Sequence, residues 1–209
     1  MKPSRRRSGF TLVEIAVAAV ILALLAAVTT PYLIGFIDKQ RAQTTADKLA
    51  ALATGIAAFN SAVHATATLT TTTMYPGRLS ELTNVIVTNT TASHTSCGTA
   101  TATLSTFTTT AVTSWNTSAP FVTFMITTNG VETPMGIIMD SIVRTSITNP
   151  PTPTTLQLKI IGADSTDAPL LDRIVDGGDG ASAGVVQWVA NANPALVDIK
   201  YFIPAGGKC

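Results

Sequence analysis

The chain has 209 residues, 46% of them hydrophobic and 12% charged, with 13 basic against 12 acidic side chains. Four of the basic residues, Lys2, Arg5, Arg6 and Arg7, precede Phe10, so the remainder carries 9 basic and 12 acidic side chains. A mildly acidic body without a basic stripe argues against a general nucleic-acid surface, because phosphate binding needs clustered Lys and Arg.

At the amino terminus, Arg5-Arg6-Arg7-Ser8-Gly9-Phe10-Thr11-Leu12-Val13-Glu14 places a basic leader and a glycine ahead of an apolar run with one acid near its start. A secretory signal also has a basic front and an apolar middle, but it is cut after the apolar part, at small residues. A carboxylate is out of place there, since a lone acid at mid-helix costs about 2.5–3.5 kcal/mol on insertion scales. These residues resemble the class III leader of type IV pilins and of the pseudopilins of type II secretion. The resemblance implies that a membrane-embedded prepilin peptidase cuts between Gly9 and Phe10 and then methylates the new amino terminus. Such a cut creates an α-amine with an intrinsic pKa of roughly 8, mostly charged at neutral pH. Glu14 lies one helical turn away and can meet that amine in its own chain. The freed N–H groups of the new helix start also favour a carboxylate. The family resemblance further implies that Glu14 pairs with the amine of a neighbouring subunit and sets axial register. The sequence leaves the intrachain and intersubunit pairs both open.

From Ile15 to Ile37 no residue is charged, a run of 23. At about 1.5 Å per residue this reaches roughly 35 Å, enough to cross a bilayer core with some tilt. The basic excess on the leader side predicts a single-pass inner-membrane protein with a cytoplasmic amino terminus and an exported remainder. Pro31 removes one backbone hydrogen bond, so a kink or loosened turn is expected near Ala27–Pro31. Leu49, Leu52, Ile56, Phe59 and Val63 then recur at spacings of three and four, which extends the predicted helix to about His64. Gly55 inside this stripe carries a modest helix cost. The expected organisation is a leader over 1–9, a transmembrane and assembly half of the helix over 10–37, an amphipathic half over 38–65, and an exported β-rich head over 66–209.

Residues 66–128 hold 23 threonines. Threonine is β-branched and suits solvated strands. Thr99-Ala100-Thr101-Ala102-Thr103-Leu104 alternates, whereas Thr70–Thr73 and Asn89–Thr95 read as loops or weak edge strands. Asn89-Thr90-Thr91 and Asn116-Thr117-Ser118 match the glycosylation sequon, a short pattern that also occurs by chance. Clearer strands follow at Phe121–Ile126, Leu156–Ile161, Val185–Val189 and Val197–Ile203, and Asn149-Pro150-Pro151-Thr152-Pro153 is a rigid loop. Tyr75-Pro76-Gly77-Arg78-Leu79-Ser80-Glu81-Leu82 resembles the short segment that follows the long helix in pseudopilins, where it starts a small loop or helix. The fold class expected is α+β, a long amino-terminal helix packed on an antiparallel sheet, as in pilins.

Cys97 and Cys209 are the only cysteines. In an oxidising exported compartment they most simply form a disulfide, with free thiols or an intermolecular bridge as the alternatives. Asp172, Asp176 and Asp179, with Ser182, lie in a glycine-rich segment, and calcium prefers oxygen ligands on such a pliable loop. The spacing departs from the EF-hand pattern, and an acidic turn ahead of the strand at Val185 fits equally. Some members of the resembled family do bind calcium in a carboxyl-terminal loop. His64 and His94 are isolated, Trp115 and Trp188 read as packing residues, and no catalytic motif stands out, so a non-enzymatic role is expected. The function expected is a structural subunit of a type IV pilus-like filament or a type II secretion pseudopilus. Its implied partners are prepilin peptidase, other pilin or pseudopilin subunits, a membrane assembly platform and membrane lipid, with no nucleic acid. A filament-tip adhesin or DNA-uptake pilin, which needs a basic patch in the head, and a tethered enzyme, which needs a pocket, are the rival readings.

Overall fold

A strip of small and apolar residues at spacings of three and four builds the longest element. In the computed structural model, which describes residues 11–64, 75–83, 91–93, 104–106, 109–145 and 155–204, helix α1 covers Leu12–His64. The helix runs through Pro31 without a break. The chain divides into two compact units, one ending at Gln40 and the other beginning at Arg41.

In the first unit α1 is exposed at every residue from Leu12 to Ile37 whose side chain is described. Two of its threonine hydroxyls are turned back on the helix. Thr29 donates to the carbonyl of Leu25 at 3.0 Å and Thr30 to that of Ala26 at 2.7 Å. Both polar side chains are thereby satisfied without water, which suits an apolar surrounding.

In the second unit the expected stripe is buried, with Leu49, Leu52 and Phe59 at 0% exposure and Ile56 at 1%. It begins earlier than its large residues indicate. Ala42 and Thr45 are also fully buried, and the Thr45 hydroxyl donates to the Arg41 carbonyl at 2.9 Å. A small residue and a self-satisfied hydroxyl leave no hydropathy signal, so only packing reveals them. Two basic side chains of α1 also reach across the head. Lys48 donates to the carbonyl of Glu132 at 2.6 Å, and Arg41 Nη2 donates to that of Pro134 at 2.8 Å.

The remaining elements are a 3-10 helix at Leu79–Leu82, β1 (Thr91–Ser93), β2 (Leu104–Thr106), α2 (Thr109–Ser118), β3 (Val131–Thr133), β4 (Gly136–Ile138), β5 (Val143–Thr145), β6 (Thr155–Asp164), α3 (Asp167–Val175), β7 (Val186–Ala190) and β8 (Leu196–Pro204). All described pairings are antiparallel. The main sheet runs β3-β4-β6-β8-β7, with β5 also paired to β6, and β1 pairs with β2 separately. Alternation decides its inner face. Leu156, Leu158 and Ile160 of β6, Val197, Ile199 and Ile203 of β8, and Val186 of β7 are buried, whereas Gln157, Lys159, Asp198 and Lys200 between them are less so. This is the α+β architecture expected; the strands at Val185–Val189 and Val197–Ile203 are present within one residue at each end, and that at Leu156–Ile161 runs three residues further, to Asp164. The Tyr75–Leu82 segment does form a small helix.

Two expectations are overturned. Phe121–Ile126 is not a strand; it is irregular, with Val122 and Ile126 buried and Met125 83% exposed. Its apolar residues serve packing against α1 instead. The Phe121 ring meets Phe59 edge-on at 5.7 Å and Trp115 at 6.1 Å, while its amide donates to the Leu82 carbonyl. Part of the threonine-rich region is helical as well. In α2, Val112 and Trp115 lie three residues apart and are both buried, so tertiary contact overrides the β preference of threonine. Helix α3 was hidden by Pro169, which the first turn of a helix tolerates. The residues Thr70–Thr73, His94, Thr99–Thr103, the Asn89-Thr90 start of the first sequon and the proline loop at 149–153 lie outside the described residues.

Gly55 is not merely tolerated. A Cβ there would sit 2.6 Å from Cγ1 of Val122 and 3.2 Å from the Phe121 carbonyl oxygen. The missing side chain lets the 121–122 segment lie directly on α1. Gly55→Leu is expected to overpack this contact and cost about 1–3 kcal/mol or more. Thermal unfolding of the detergent-solubilised chain checks this, and an unchanged melting temperature would contradict the packing assignment.

Candidate functional site

Helix α3 and the loop after it bring three carboxylates together. Asp172 lies on the buried side of α3, one turn before its end, and Asp176 closes the helix, donating its backbone N–H to the Asp172 carbonyl. Asp179 follows in the glycine-rich loop. Ligand-competent oxygens of Asp172, Asp176 and Asp179 all lie within 4.8 Å of one another. Two of the acids use one oxygen to hold the backbone around them. Oδ2 of Asp172 accepts from the Gly180 N–H at 3.1 Å, and Oδ2 of Asp176 accepts from the N–H groups of Val185 at 2.7 Å and Val186 at 3.0 Å. The other oxygen of each, Oδ1, is buried and accepts no hydrogen bond from outside the acid pair.

The electrostatics follow from that arrangement. Asp172 is only 2% exposed. Burial first, then a side-chain hydrogen bond to Asp176, and lastly the charges of Asp176 and Asp179, push Asp172 up to about 6, against the pull of the Gly180 N–H. Burial, with the charge of Asp176 behind it, also raises the Tyr201 hydroxyl above its ordinary value. Facing carboxylates in a buried place need either a shared proton or a cation between them. Two oxygens without an outside donor and a third acid on a flexible loop make an all-oxygen donor set. That chemistry fits a hard divalent ion better than a soft one. Ser182 is exposed in the same loop.

At the other end of the chain, the sequence Thr11-Leu12-Val13-Glu14 starts α1. The Glu14 N–H donates to the Thr11 hydroxyl at 3.3 Å, and the Ile15 N–H donates to the Thr11 carbonyl at 3.3 Å. Thr11 therefore satisfies an otherwise orphaned donor of the first turn. A threonine followed three residues later by glutamate is a helix-start signature, and that spacing could have assigned Thr11 this role from sequence. Glu14 occupies the first turn, where a carboxylate is favoured by the helix dipole. It is the single acid at the head of an exposed apolar surface that includes Leu12 at 86% and Leu22 at 66% exposure. The helix is long and apolar enough to cross a membrane, with a mean hydropathy of 2.6 over its best window.

Residues 4–30 match the family model of the prokaryotic N-terminal methylation motif. The chain carries the prepilin-type class III leader of type IV pilins and pseudopilins. No curated protein and no solved structure matches it. The matched stretch of this pilin-like precursor contains Gly9, Phe10 and Glu14 and ends within the apolar part of α1. Of those three residues, Glu14 is described; Gly9 and Phe10 lie outside the described residues, as do Cys97 and Cys209. The structure thus brings together Asp172, Asp176 and Asp179 in the head.

Proposed function

We propose that this protein is a structural subunit of a type IV pilus-like filament or a type II secretion pseudopilus, and not an enzyme. The observation that carries the reading is the methylation motif at 4–30 running directly into a helix whose apolar first part is exposed and holds one acid. Prepilin peptidase cuts between Gly9 and Phe10 and methylates Phe10. The subunit waits in the inner membrane through 10–37, with its head exported. Assembly moves the apolar surface of α1 from lipid into contact with other subunits at the assembly platform. Glu14 then meets the methylated amine of a neighbour and sets the axial step. Such a pair forms where water is scarce, so a wrong register leaves two charges unpaired.

In the head, Asp172, Asp176 and Asp179 hold a calcium ion. Calcium accepts six to eight oxygen ligands in flexible geometry, which the glycine loop allows. The bound ion supplies positive charge against three carboxylates, while the chain's own amides at Gly180, Val185 and Val186 orient two of them. Cys97 and Cys209 are joined in the oxidising exterior, tying the carboxyl terminus to the head.

The deciding experiment is the intact mass and amino-terminal sequence of the protein from its native membrane. The expected chain begins at N-methylated Phe10. A start near Thr29–Tyr32 means ordinary signal removal, and an uncut Met1 means a plain anchor; either result rejects the reading. Substituting Gly9 by a bulkier residue is expected to leave the leader attached.

A further inference from the structure

The loop joining α3 to β7 contains several glycines with positive φ, and they do different work. Gly177 has φ +89 and a Cβ added to it would meet nothing within 4 Å; its freedom serves only the turn. Gly184 has φ +68 and is otherwise placed. A Cβ on Gly184 would lie 2.5 and 2.6 Å from the two carboxylate oxygens of Asp179, and closer still to Oδ2 of Asp176. The atoms in the way are the acidic oxygens themselves: Asp176 is held by the N–H groups of Val185 and Val186, so the exposed Asp179 side chain would have to turn away from it. The residue after Gly184 is Val185, whose N–H donates to Asp176 at 2.7 Å, so the chain turns back onto the acids at this point.

We propose that Gly184 is the positioning residue of the acidic loop: its bare Cα lets Asp179 close on Asp176, and divalent-cation binding depends on it although it donates no ligand side chain. This rests on the cation reading of Asp172, Asp176 and Asp179, which stands on the buried Oδ1 of Asp172, unpartnered outside the acid pair, as well as on the cluster. The closure has a second consequence. β7 is the terminal strand of the sheet, and its outward edge is covered by this same loop. Asp176 Oδ2 accepts from Val186, and the Ala181 carbonyl accepts from the Trp188 N–H at 3.0 Å. An uncovered edge strand offers free donors to any passing strand. Asp176 therefore belongs both to the acid cluster and to the covered edge, and Gly184 lies against it.

The test compares the full chain in detergent with its Gly184→Ala and Gly177→Ala variants. Calcium binding is read by calorimetry, and terbium luminescence sensitised by Tyr201, which feels the charge of Asp176, serves as a second probe. Both alanines impose left-handed backbone strain, but only the one at 184 enters the carboxylates. Gly177→Ala is expected to bind calcium as the unaltered chain does, while Gly184→Ala binds about 10–100-fold more weakly, the usual loss when support around a metal ligand is removed. Equal affinity of Gly184→Ala and the unaltered chain overturns the positioning role and leaves the cation reading standing. An equal loss in Gly177→Ala also overturns it, because strain alone would then be the cause. If the unaltered chain binds neither ion, the cation reading fails and takes the proposal with it. Should Gly184→Ala not fold, the unaltered chain still decides. Calcium must shift the Gly184 and Val185 amide resonances and slow hydrogen exchange at Val186 and Trp188. Binding that leaves these amides unmoved overturns the proposal.

Discussion

Changing Glu14 to alanine is expected to leave the chain in the membrane and remove it from filaments. Insertion cannot suffer, since an acid at mid-helix opposes it by about 2.5–3.5 kcal/mol and less near an interface. Glu14 stands at the start of an apolar surface on which every described side chain up to Ile37 is exposed. In the proposed filament other subunits would cover that surface, and the amine of Phe10 would enter the same dry layer. Removing one partner of a buried ion pair costs about 3–5 kcal/mol, because the other charge stays unpaired. At about 1.4 kcal/mol per tenfold, that is a loss of roughly two to three and a half orders of magnitude in the association constant per subunit. Glu14→Gln keeps the shape and should fail almost as badly, which separates charge from packing. The measurement is the amount of subunit in sheared filaments against the amount in the membrane fraction. Filaments of normal yield from either variant would sink the proposed role of Glu14.

The second large effect concerns Glu81, in the 3-10 helix after α1. Its carboxylate is 7% exposed and accepts from the N–H of Gly77 at 2.9 Å and, more weakly, from that of Arg78. Burial outweighs these bonds and the Arg78 charge, and raises Glu81 from 4.5 to about 7. The direction of the pH dependence follows from proton uptake. A carboxyl raised in the folded state holds its proton more tightly there than in the unfolded chain. Below pH 4.5 both states are protonated and no cost exists. Between 4.5 and about 7 stability falls as pH rises, and above 7 the full cost is present, on the order of 3 kcal/mol. Glu81→Gln removes that cost while keeping an oxygen for Gly77. The variant should melt higher than the unaltered chain at pH 8, by roughly 6–12 °C for a head of this size, and show no advantage at pH 4. Other titrating groups, Asp172 among them, are common to both proteins, so the difference between the two melting curves isolates Glu81. A variant that melts lower at pH 8 would show that the ionised carboxylate contributes more through its hydrogen bonds than it loses by burial.

Both predictions start from acids that the linear sequence presents very differently. Glu14 stands out as the one charge among apolar residues, and the glycine, phenylalanine and basic leader around it act through local spacing. The helix to His64 was legible for the same reason. Its period is carried by large side chains such as Leu49, Leu52 and Phe59, and a helix needs no distant partner to define it. The strands at β6, β7 and β8 alternate clearly enough to be read alone. Glu81 looks like an ordinary surface acid, and nothing beside it in sequence says otherwise. Its burial comes from chain segments that only folding brings near, including Asp140, which binds the backbone N–H of Ser80 at 2.7 Å.

The sequence by itself therefore determined the leader, the apolar shaft and its acid, and the main strands, because each is written in neighbours fewer than about eight residues apart. Only the tertiary structure decided that Phe121–Ile126 is packing and not strand, that Gly55 is a contact surface, and that threonine-rich α2 is a helix around Trp115. It also decided what the acidic loop is made of. Asp172, Asp176 and Asp179 were visible as candidates, but their convergence within 4.8 Å depends on α3 starting at Asp167 and on Gly184 returning the chain against them. Local periodicity specifies an element through its own backbone, whereas a packed contact or a ligand cluster is specified by which distant surfaces meet, and one-dimensional spacing does not contain that information.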